Sequence, residues 1–183
     1  MLRNKMLGAM AAATLIVGAP AIAKTNPRVG GAAMLPTKTI VENASAANNL
    51  TTLVTAVKAA DLVDTLSGPG PFTVFAPTNA AFAKLPAGTL DTLTRPENKS
   101  QLSNILTYHV VSGRMTAKDI AAAIKAGGGT ATLTTVQSEP LTAKMTGGRL
   151  MLTDAKGGTS MVSTKDVMQS NGVVHVIDTV LMP

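Results

Sequence analysis

The chain has 183 residues, with 16 basic and 10 acidic side chains for a formal charge of +6, and it contains no cysteine. The absence of cysteine excludes disulfides, a thiol nucleophile and a lipid attached to an N-terminal cysteine. The basic residues stand singly, and the only aromatic side chains are one tyrosine and three phenylalanines. Nucleic-acid binding favours a clustered basic stripe with interleaved aromatic residues, so composition argues against a nucleic-acid partner.

The first 23 residues have the pattern of a signal peptide. Arg3 and Lys5 precede the apolar stretch Met6–Val17, and the small residues of Ala21-Ile22-Ala23 suit a signal peptidase. The apolar stretch is too short to span a bilayer as a helix, so we expect cleavage and no stable membrane anchor afterwards. Loss of the leader would leave 14 basic residues against 10 acidic ones, a formal charge of +4. The pattern predicts a secreted or periplasmic protein.

The mature chain is predicted to begin with an unstructured segment. Residues 24–36 contain prolines and a Gly-Gly pair but no apolar periodicity, which predicts a flexible N-terminal segment, so the folded domain is expected to span residues 37–183. Leu50, Leu53 and Val57 then recur at helical spacing. This spacing predicts a helix with one face packed inward.

The middle of the chain mixes helix and strand signals. Aromatic and β-branched residues predict a buried strand over 72–76. A Gly-Pro-Gly-Pro run before it and Pro77 after it set its bounds. Helices are predicted over 79–85, 97–108 and 116–125. A strand is predicted to begin at Tyr108-His109, between the last two of these helices.

Beyond residue 130 the chain consists of short β-rich segments separated by glycine turns. Strands are predicted over 130–135, 141–145, 150–153, 160–168 and 173–181. The Asn171-Gly172 pair is typical of a tight type I′ hairpin. Helices thus dominate the first half and strands the second, which predicts an α+β fold.

Three segments resemble the fasciclin family in order and spacing. They are Phe72-Thr-Val-Phe-Ala-Pro-Thr-Asn-Ala-Ala-Phe82, Ile105-Leu-Thr-Tyr-His-Val-Val-Ser-Gly113 and Ser170-Asn-Gly-Val-Val-His-Val-Ile-Asp-Thr-Val-Leu-Met-Pro183. The first and third are similar to the two homology segments of that family, and the second is similar to its central Tyr-His segment. The resemblance extends over nearly all of the predicted mature chain.

This resemblance implies both a fold and a function. The fold would be a compact β-sandwich or wedge flanked by helices from the N-terminal half. The function would be adhesion, with a cell-surface or matrix protein or polysaccharide as partner. In animal members the Tyr-His region and a nearby Asp-Ile pair have been proposed to contact integrins; the matching candidates for partner binding here are Tyr108, His109, Asp119 and Ile120.

We expect the motif segments to meet in a single interior. The last strand is apolar on both faces, which predicts a central, covered position in the sheet. The residues expected to form the structural core of the motifs are Phe72, Phe75, Phe82, Asn79, Asn171, Gly172, His175 and Asp178.

The sequence contains no convincing catalytic or metal-binding pattern. His109 and His175, the only two histidines, both fall in segments predicted as apolar strands, where a hydrogen-bonded structural role is commoner than catalysis. Two distant histidines without cysteine do not make a structural zinc site. His175 and Asp178 are predicted to point to opposite faces of a strand, and no nucleophile-elbow motif is present. We therefore expect a protein that is not an enzyme and holds neither a metal nor another cofactor.

Methionines in the β-rich half leave a second hypothesis open. Methionine fills irregular gaps in a core, and it also lines adaptable apolar grooves. Some fasciclin-type proteins bind carotenoids, so the resemblance also permits a carrier of a long apolar molecule. The candidate lining residues for such a ligand are Leu50, Leu53, Val57, Met161 and Met168. With no tryptophan and one tyrosine in the chain, a bound pigment would dominate the absorption spectrum.

Overall fold

The computed structural model describes residues 26–183, and the predicted signal peptide lies outside this range. Most helices fall in the first half, as the sequence predicts. Their bounds are Ile40–Ala46 (α1), Thr51–Ala59 (α2), Val63–Ser67 (α3), Asn79–Ala83 (α4), Thr89–Leu93 (α5), Lys99–Tyr108 (α6) and Ala117–Ala126 (α7), with a short 3-10 turn at Pro96–Asn98. In the described part of the chain, no helix combines the length and apolar character needed to cross a membrane.

Strands dominate the second half, so the predicted α+β class is confirmed. Their bounds are Arg28–Val29 (β1), Ala32–Ala33 (β2), Phe72–Pro77 (β3), Val110–Ser112 (β4), Thr130–Thr134 (β5), Pro140–Thr146 (β6), Arg149–Thr153 (β7), Thr159–Gln169 (β8) and Gly172–Ile177 (β9). All five strands predicted beyond residue 130 are present.

A seven-stranded mixed sheet, in the order β4-β3-β9-β8-β7-β6-β5, forms the framework. Strands β3 and β9 are parallel, and the other neighbouring pairs are antiparallel. The outer strands approach each other through a bridge between Val111 and Thr135, and the Val136 N–H donates to the Val110 carbonyl at 2.7 Å. The sheet is therefore nearly closed, which protects the backbone groups of its outer strands.

The sheet separates two hydrophobic cores. Val174 and Val176 of β9 belong to the first core, under α1, α2 and α6. Ile177 belongs to the second, with residues of α7 and β5 to β7. Strand β9 is thus central and covered, as predicted. The three motif segments do meet, but the expected single interior is wrong, because side chains that alternate along a strand enter opposite cores.

The phenylalanines illustrate this division. Phe75 is fully buried in the second core, whereas Phe82 is buried in the first and Phe72 packs at the margin of the first. The expectation that these residues are structural is consistent with their positions, although they stabilise two different cores.

The segment over residues 24–36 is ordered wherever the structure describes it. Strands β1 and β2 form a small hairpin, and Val29 and Met34 are each only 4% exposed in the first core. The Asn26 side chain exchanges two hydrogen bonds with the Met168 backbone, at 2.6 and 3.3 Å. The prediction of a flexible segment is therefore wrong from Asn26 onward. Two isolated apolar residues produce no periodic pattern, so this packing could not be predicted from local sequence.

The turn between β8 and β9 also differs from the prediction. The two loop residues are Ser170 and Asn171, since Gln169 pairs with Gly172. Neither loop residue nor Gly172 has a positive φ, so the turn is not type I′. Gly172 is required for another reason: a Cβ there would lie 2.1 Å from the Phe72 carbonyl oxygen. The glycine allows β3 and β9 to pair closely.

Gly172→Ala should therefore destabilise the protein strongly. The added methyl group would collide with the backbone of the neighbouring strand, and overpacking of this kind costs about 3 kcal/mol. Gly68→Ala is the matched control, because its nearest neighbour would be a carbonyl oxygen at 3.2 Å and its φ is an ordinary negative value. We expect the control to change the free energy of unfolding by less than about 1 kcal/mol. Equal effects in urea denaturation would contradict the close-approach explanation.

Candidate functional site

Tyr108 of the Tyr-His pair is a buried connector. It is the last residue of α6 and is fully buried. Its hydroxyl donates to the Pro140 carbonyl oxygen at 3.0 Å and accepts from the Ala155 N–H at 3.1 Å. One side chain thus ties the end of α6 to the start of β6 and to the loop after β7.

His109 is held by the backbone on both sides of its ring. It caps the C-terminus of α6, so the prediction that the strand begins at Tyr108 is wrong and β4 starts only at Val110. Its Nδ1 lies 2.7 Å from the Ile105 carbonyl oxygen and its Nε2 lies 3.0 Å from the Leu181 nitrogen. A carbonyl only accepts and a backbone N–H only donates, so Nδ1 carries the proton and the ring is neutral.

His175 is held in the opposite tautomer. Its Nε2 donates to the Met115 carbonyl oxygen at 2.9 Å, and its Nδ1 accepts from the Asp166 N–H at 3.2 Å. The ring also stacks on Phe75 with centroids 5.6 Å apart. Each of the four ring nitrogens of the two imidazoles therefore has a backbone partner in the interior. Burial lowers the pKa of His109 to about 4 and also lowers the pKa of His175.

The residues predicted to contact a partner are not available as a group. Tyr108, His109 and Ile120 are buried, and Ile120 packs in the second core. Asp119 is exposed, but its carboxylate closes a capping box with Thr116 at the start of α7, and these hydrogen bonds lower its pKa. The prediction of a partner-binding site at these four residues is therefore corrected, because three of them are inaccessible to a partner.

The predicted polar motif residues hold separate elements together. The Asn79 Oδ1 accepts from the Thr52 N–H at 3.0 Å and so caps α2, which lacks a side-chain cap of its own. The buried Asn171 accepts from the Ile40 N–H and donates to the carbonyl of Leu66. These two asparagines therefore join distant parts of the chain.

Asp178 joins β8 to the segment after β9. Its carboxylate accepts from the Met161 N–H at 2.9 Å and lies 3.4 Å from the Ser160 hydroxyl. Burial alone would raise the pKa of Asp178. The hydrogen bonds from Met161, Thr179 and Ser160, together with the nearby charge of Lys84, outweigh burial and hold this pKa below its usual value. Asp178 does not bond to His175, in agreement with the predicted opposite faces.

The described residues do not assemble a familiar catalytic centre. Within residues 26–183 no group of three or more histidine, cysteine, aspartate or glutamate side chains could hold a metal ion. The hydrogen bonds of both imidazoles go to backbone atoms, so neither ring is aligned with a hydroxyl as a general base.

A narrow apolar cavity lies between α1 and α2, lined partly by Leu53 and Val57, and Leu50 lines a second apolar cavity beside it. The volumes are only about 30 and 20 Å³, which is far too small for a carotenoid unless helices separate. Met161 instead pairs with Met151 on β7, and Met168 pairs with Val173. The structure therefore does not bring the five predicted lining residues into one site, and the carrier hypothesis stays a prediction.

A more voluminous cleft lies elsewhere on the described surface. It has a volume of about 420 Å³ and opens between α7, the β6–β7 turn and β8. Its lining includes three exposed basic residues, Lys118, Arg149 and Lys165, and one acidic residue, Asp166. Sequence reasoning missed this site because its basic residues are distant in sequence and come from three different elements.

Comparison with known proteins agrees with this architecture. The sequence model of the fasciclin domain matches residues 48–183, so the chain belongs to the fasciclin domain family. The fold resembles a fasciclin domain pair from the insect cell adhesion molecule fasciclin I, with a TM-score of 0.71 and 21% identity. The match covers 80% of this chain and 51% of that chain.

Bacterial relatives are closer in sequence. Protein sll1483 of Synechocystis sp. is 50% identical over 145 residues, which cover 79% of this chain and 73% of that protein. Immunogenic protein MPB70 of Mycobacterium bovis is 41% identical over 146 residues, covering 76% of this chain and 67% of that protein. Cell surface glycolipoprotein MPB83 of the same species is 40% identical over 157 residues, with coverage of 85% and 64%.

The buried histidines should make the protein less stable in mild acid. Since folding lowers the pKa of His109 from 6.5 to about 4, the unfolded chain binds more protons than the folded protein between these values. The free energy of unfolding should be highest above pH 6.5 and fall towards pH 4, with about 2 kcal/mol lost by pH 5 from His109 alone. His175 adds a loss in the same direction. Urea unfolding at about pH 8, 6 and 5 measures the effect, and a constant value over that range would contradict it.

Tyr108→Phe should destabilise the protein by about 1 to 3 kcal/mol, because the Ala155 N–H and the Pro140 carbonyl both lose their partner in a poorly solvated site. Ser45→Ala removes an exposed hydroxyl that bonds within α1 and should change stability by less than about 0.5 kcal/mol. Thermal or urea denaturation compares the two variants. An unchanged free energy of unfolding for Tyr108→Phe would mean that the hydroxyl is solvated rather than a connector.

Proposed function

We propose that the protein is a non-enzymatic adhesion or interaction module that acts outside the cytoplasm. It binds a cell-surface or matrix component, a protein or a polysaccharide, through its exposed surface. One observation carries the proposal: the polar atoms of Tyr108, His109 and His175 are all engaged by the backbone in the interior. The motif segments thus maintain the fold and leave function to the surface.

The family relationship supports this proposal. Fasciclin I is a cell adhesion molecule and MPB83 is a cell surface glycolipoprotein, as their names state. The signal-peptide pattern of the first 23 residues fits the same location. Secreted or periplasmic localisation is therefore part of the proposal.

The state of the two histidines argues against a hydrolase. A general base needs a lone pair directed at a substrate or nucleophile, with a pKa near the working pH. Here the lone pair of each ring accepts a backbone N–H, and burial holds both pKa values low. The arrangement favours a structural role for both residues.

A retention assay tests the proposed function. Beads that carry the folded protein should retain cells or extracellular matrix from a culture that produces it, and excess soluble protein should compete. Tyr108→Phe, assayed at a temperature where it is folded, should be retained as well as the original chain, because Tyr108 is fully buried. Beads with an unrelated folded protein of similar charge are the control. Failure to exceed this control with cells, matrix protein and polysaccharide alike would contradict the proposal.

A further inference from the structure

We infer that the cleft between α7, the β6–β7 turn and β8 binds an acidic polysaccharide. This inference rests on the proposed function and gives it a location and a ligand class. The cleft has a volume of about 420 Å³, within the range of sites that enclose part of a small ligand or a short stretch of polymer.

The charges of the cleft favour an anionic ligand. Lys118, Arg149 and Lys165 line it, are exposed, and form no ion pair with any residue in the range 26–183. The acidic lining residue, Asp166, directs one carboxylate oxygen to the Ala117 N–H at 2.6 Å, at the start of α7. This hydrogen bond with the helix N-terminus stabilises and partly offsets its charge. The cleft therefore carries an excess of positive charge that the folded chain leaves available.

Asp119 is the neighbouring acid on the same helix turn as Lys118. Its carboxylate is engaged by the Thr116 N–H at 2.9 Å and the Thr116 hydroxyl at 2.7 Å. It does not line the cleft and forms no ion pair with Lys118 among the described residues. The Lys118 ammonium group can therefore meet an external anion.

Buried groups fix the wall of the cleft. His175 joins the Met115 carbonyl, just before α7, to the Asp166 N–H on β8. The Asp166 carboxylate also accepts from the Ala117 N–H, which adds a second link between α7 and β8. The Asp166 backbone has a φ of +56 at this point of β8. The positions of Lys118 and Lys165 on the backbone are thus set by an internal network, which reduces the cost of ordering the site on binding.

The remaining lining residues favour a sugar polymer over other polyanions. The apolar part of the lining is aliphatic and includes Ala117, Ala121, Met145, Leu150 and Val162, which can pack against the C–H face of a sugar ring. No aromatic residue lines the cleft, although base stacking on aromatic side chains is the usual means of binding single-stranded nucleic acid. The three basic lining residues are exposed, so the charged groups of a bound polymer can stay partly solvated.

The arrangement also predicts weak individual contacts that act together. Each exposed charge contact changes affinity by about 1.4-fold to 5-fold, so three contacts together change it by about 3-fold to 100-fold. Arg149 can bind a carboxylate or a sulfate through two parallel hydrogen bonds, which makes it the strongest of the three. Screening by salt should weaken the interaction further.

Binding of the full protein to polygalacturonate, dextran sulfate and uncharged dextran of similar length tests the inference. We expect binding to one or both acidic polymers, lost at high salt, and none to uncharged dextran. Binding to polygalacturonate alone would assign carboxylate recognition, and binding to dextran sulfate as well would assign general recognition of acidic sugars. Equal binding to all three, or to none, would overturn the inference.

A matched pair of triple variants locates the site. The combined change Lys118→Gln, Arg149→Gln and Lys165→Gln should weaken binding by about 3-fold to 100-fold. Lys38→Gln, Lys58→Gln and Lys156→Gln remove the same charge from exposed residues away from the cleft and should reduce affinity less than threefold or so. Circular dichroism and urea unfolding establish that both variants are folded. Equal losses in the two variants would show that net charge, not the cleft, causes binding, and would overturn the inference.

The retention assay separates this inference from the proposed function. If the cleft variant is retained by cells and matrix as well as the original chain, the adhesion proposal stands and the cleft inference fails. If the original chain itself is not retained by any of them, the adhesion proposal fails. Retention that falls in the cleft variant but not in its control would support both.

Discussion

The burial of β9 on both faces is the constraint on which the rest of the structure depends. All six of its residues are buried, between the first core under α1, α2 and α6 on one side and the second core under α7 on the other. A polar group in such a position must find its partner inside the protein, because it has no water to bond with. His175 therefore bonds to two backbone groups, and the turn before β9 places Asn171 where it binds the starts and ends of helices. Gly172 completes the arrangement by allowing β3 to approach.

The same constraint separates the family motifs from the functional surface. Among the residues of the fasciclin-like segments, Tyr108, His109 and His175 are buried, and Asn79 and Asn171 bond to the backbone of helices. The interior nevertheless shapes the exterior, since His175 and Asp166 together position the start of α7 beside β8. A structural histidine thereby sets the wall of the basic cleft. Fold and surface are coupled through this contact, although Tyr108, His109 and His175 are themselves buried.

Much of the fold could be predicted from local patterns. Helical spacing of Leu50, Leu53 and Val57, the capping residue Thr116 and the β-rich second half all correspond to observed elements. The failures occurred where a distant contact overrides the local signal. Asn171-Gly172 is a turn signal in isolation, but the tertiary structure uses the asparagine as a cap and the glycine for close packing.

The candidate site was less predictable than the fold. Neither the burial of the Tyr108 hydroxyl nor the convergence of Lys118, Arg149 and Lys165 follows from sequence spacing, since both result from how separate elements pack. The apolar character of their segments predicted a hydrogen-bonded role for both histidines, and their burial is consistent with that prediction. It could not show which atoms they bind, because the Met115 carbonyl and the Leu181 N–H belong to residues that are distant along the chain.

The protonation states of the two imidazoles test the central claim most directly. Nitrogen-15 NMR of the labelled protein at about pH 6 distinguishes the Nδ1–H, Nε2–H and charged forms of each ring. The structure predicts two neutral rings in opposite tautomers, with His109 protonated on Nδ1 and His175 on Nε2. Two rings of the same tautomer, or a ring with a pKa near 6.5 as in water, would contradict the claim that both histidines are hydrogen-bonded to the backbone in the interior.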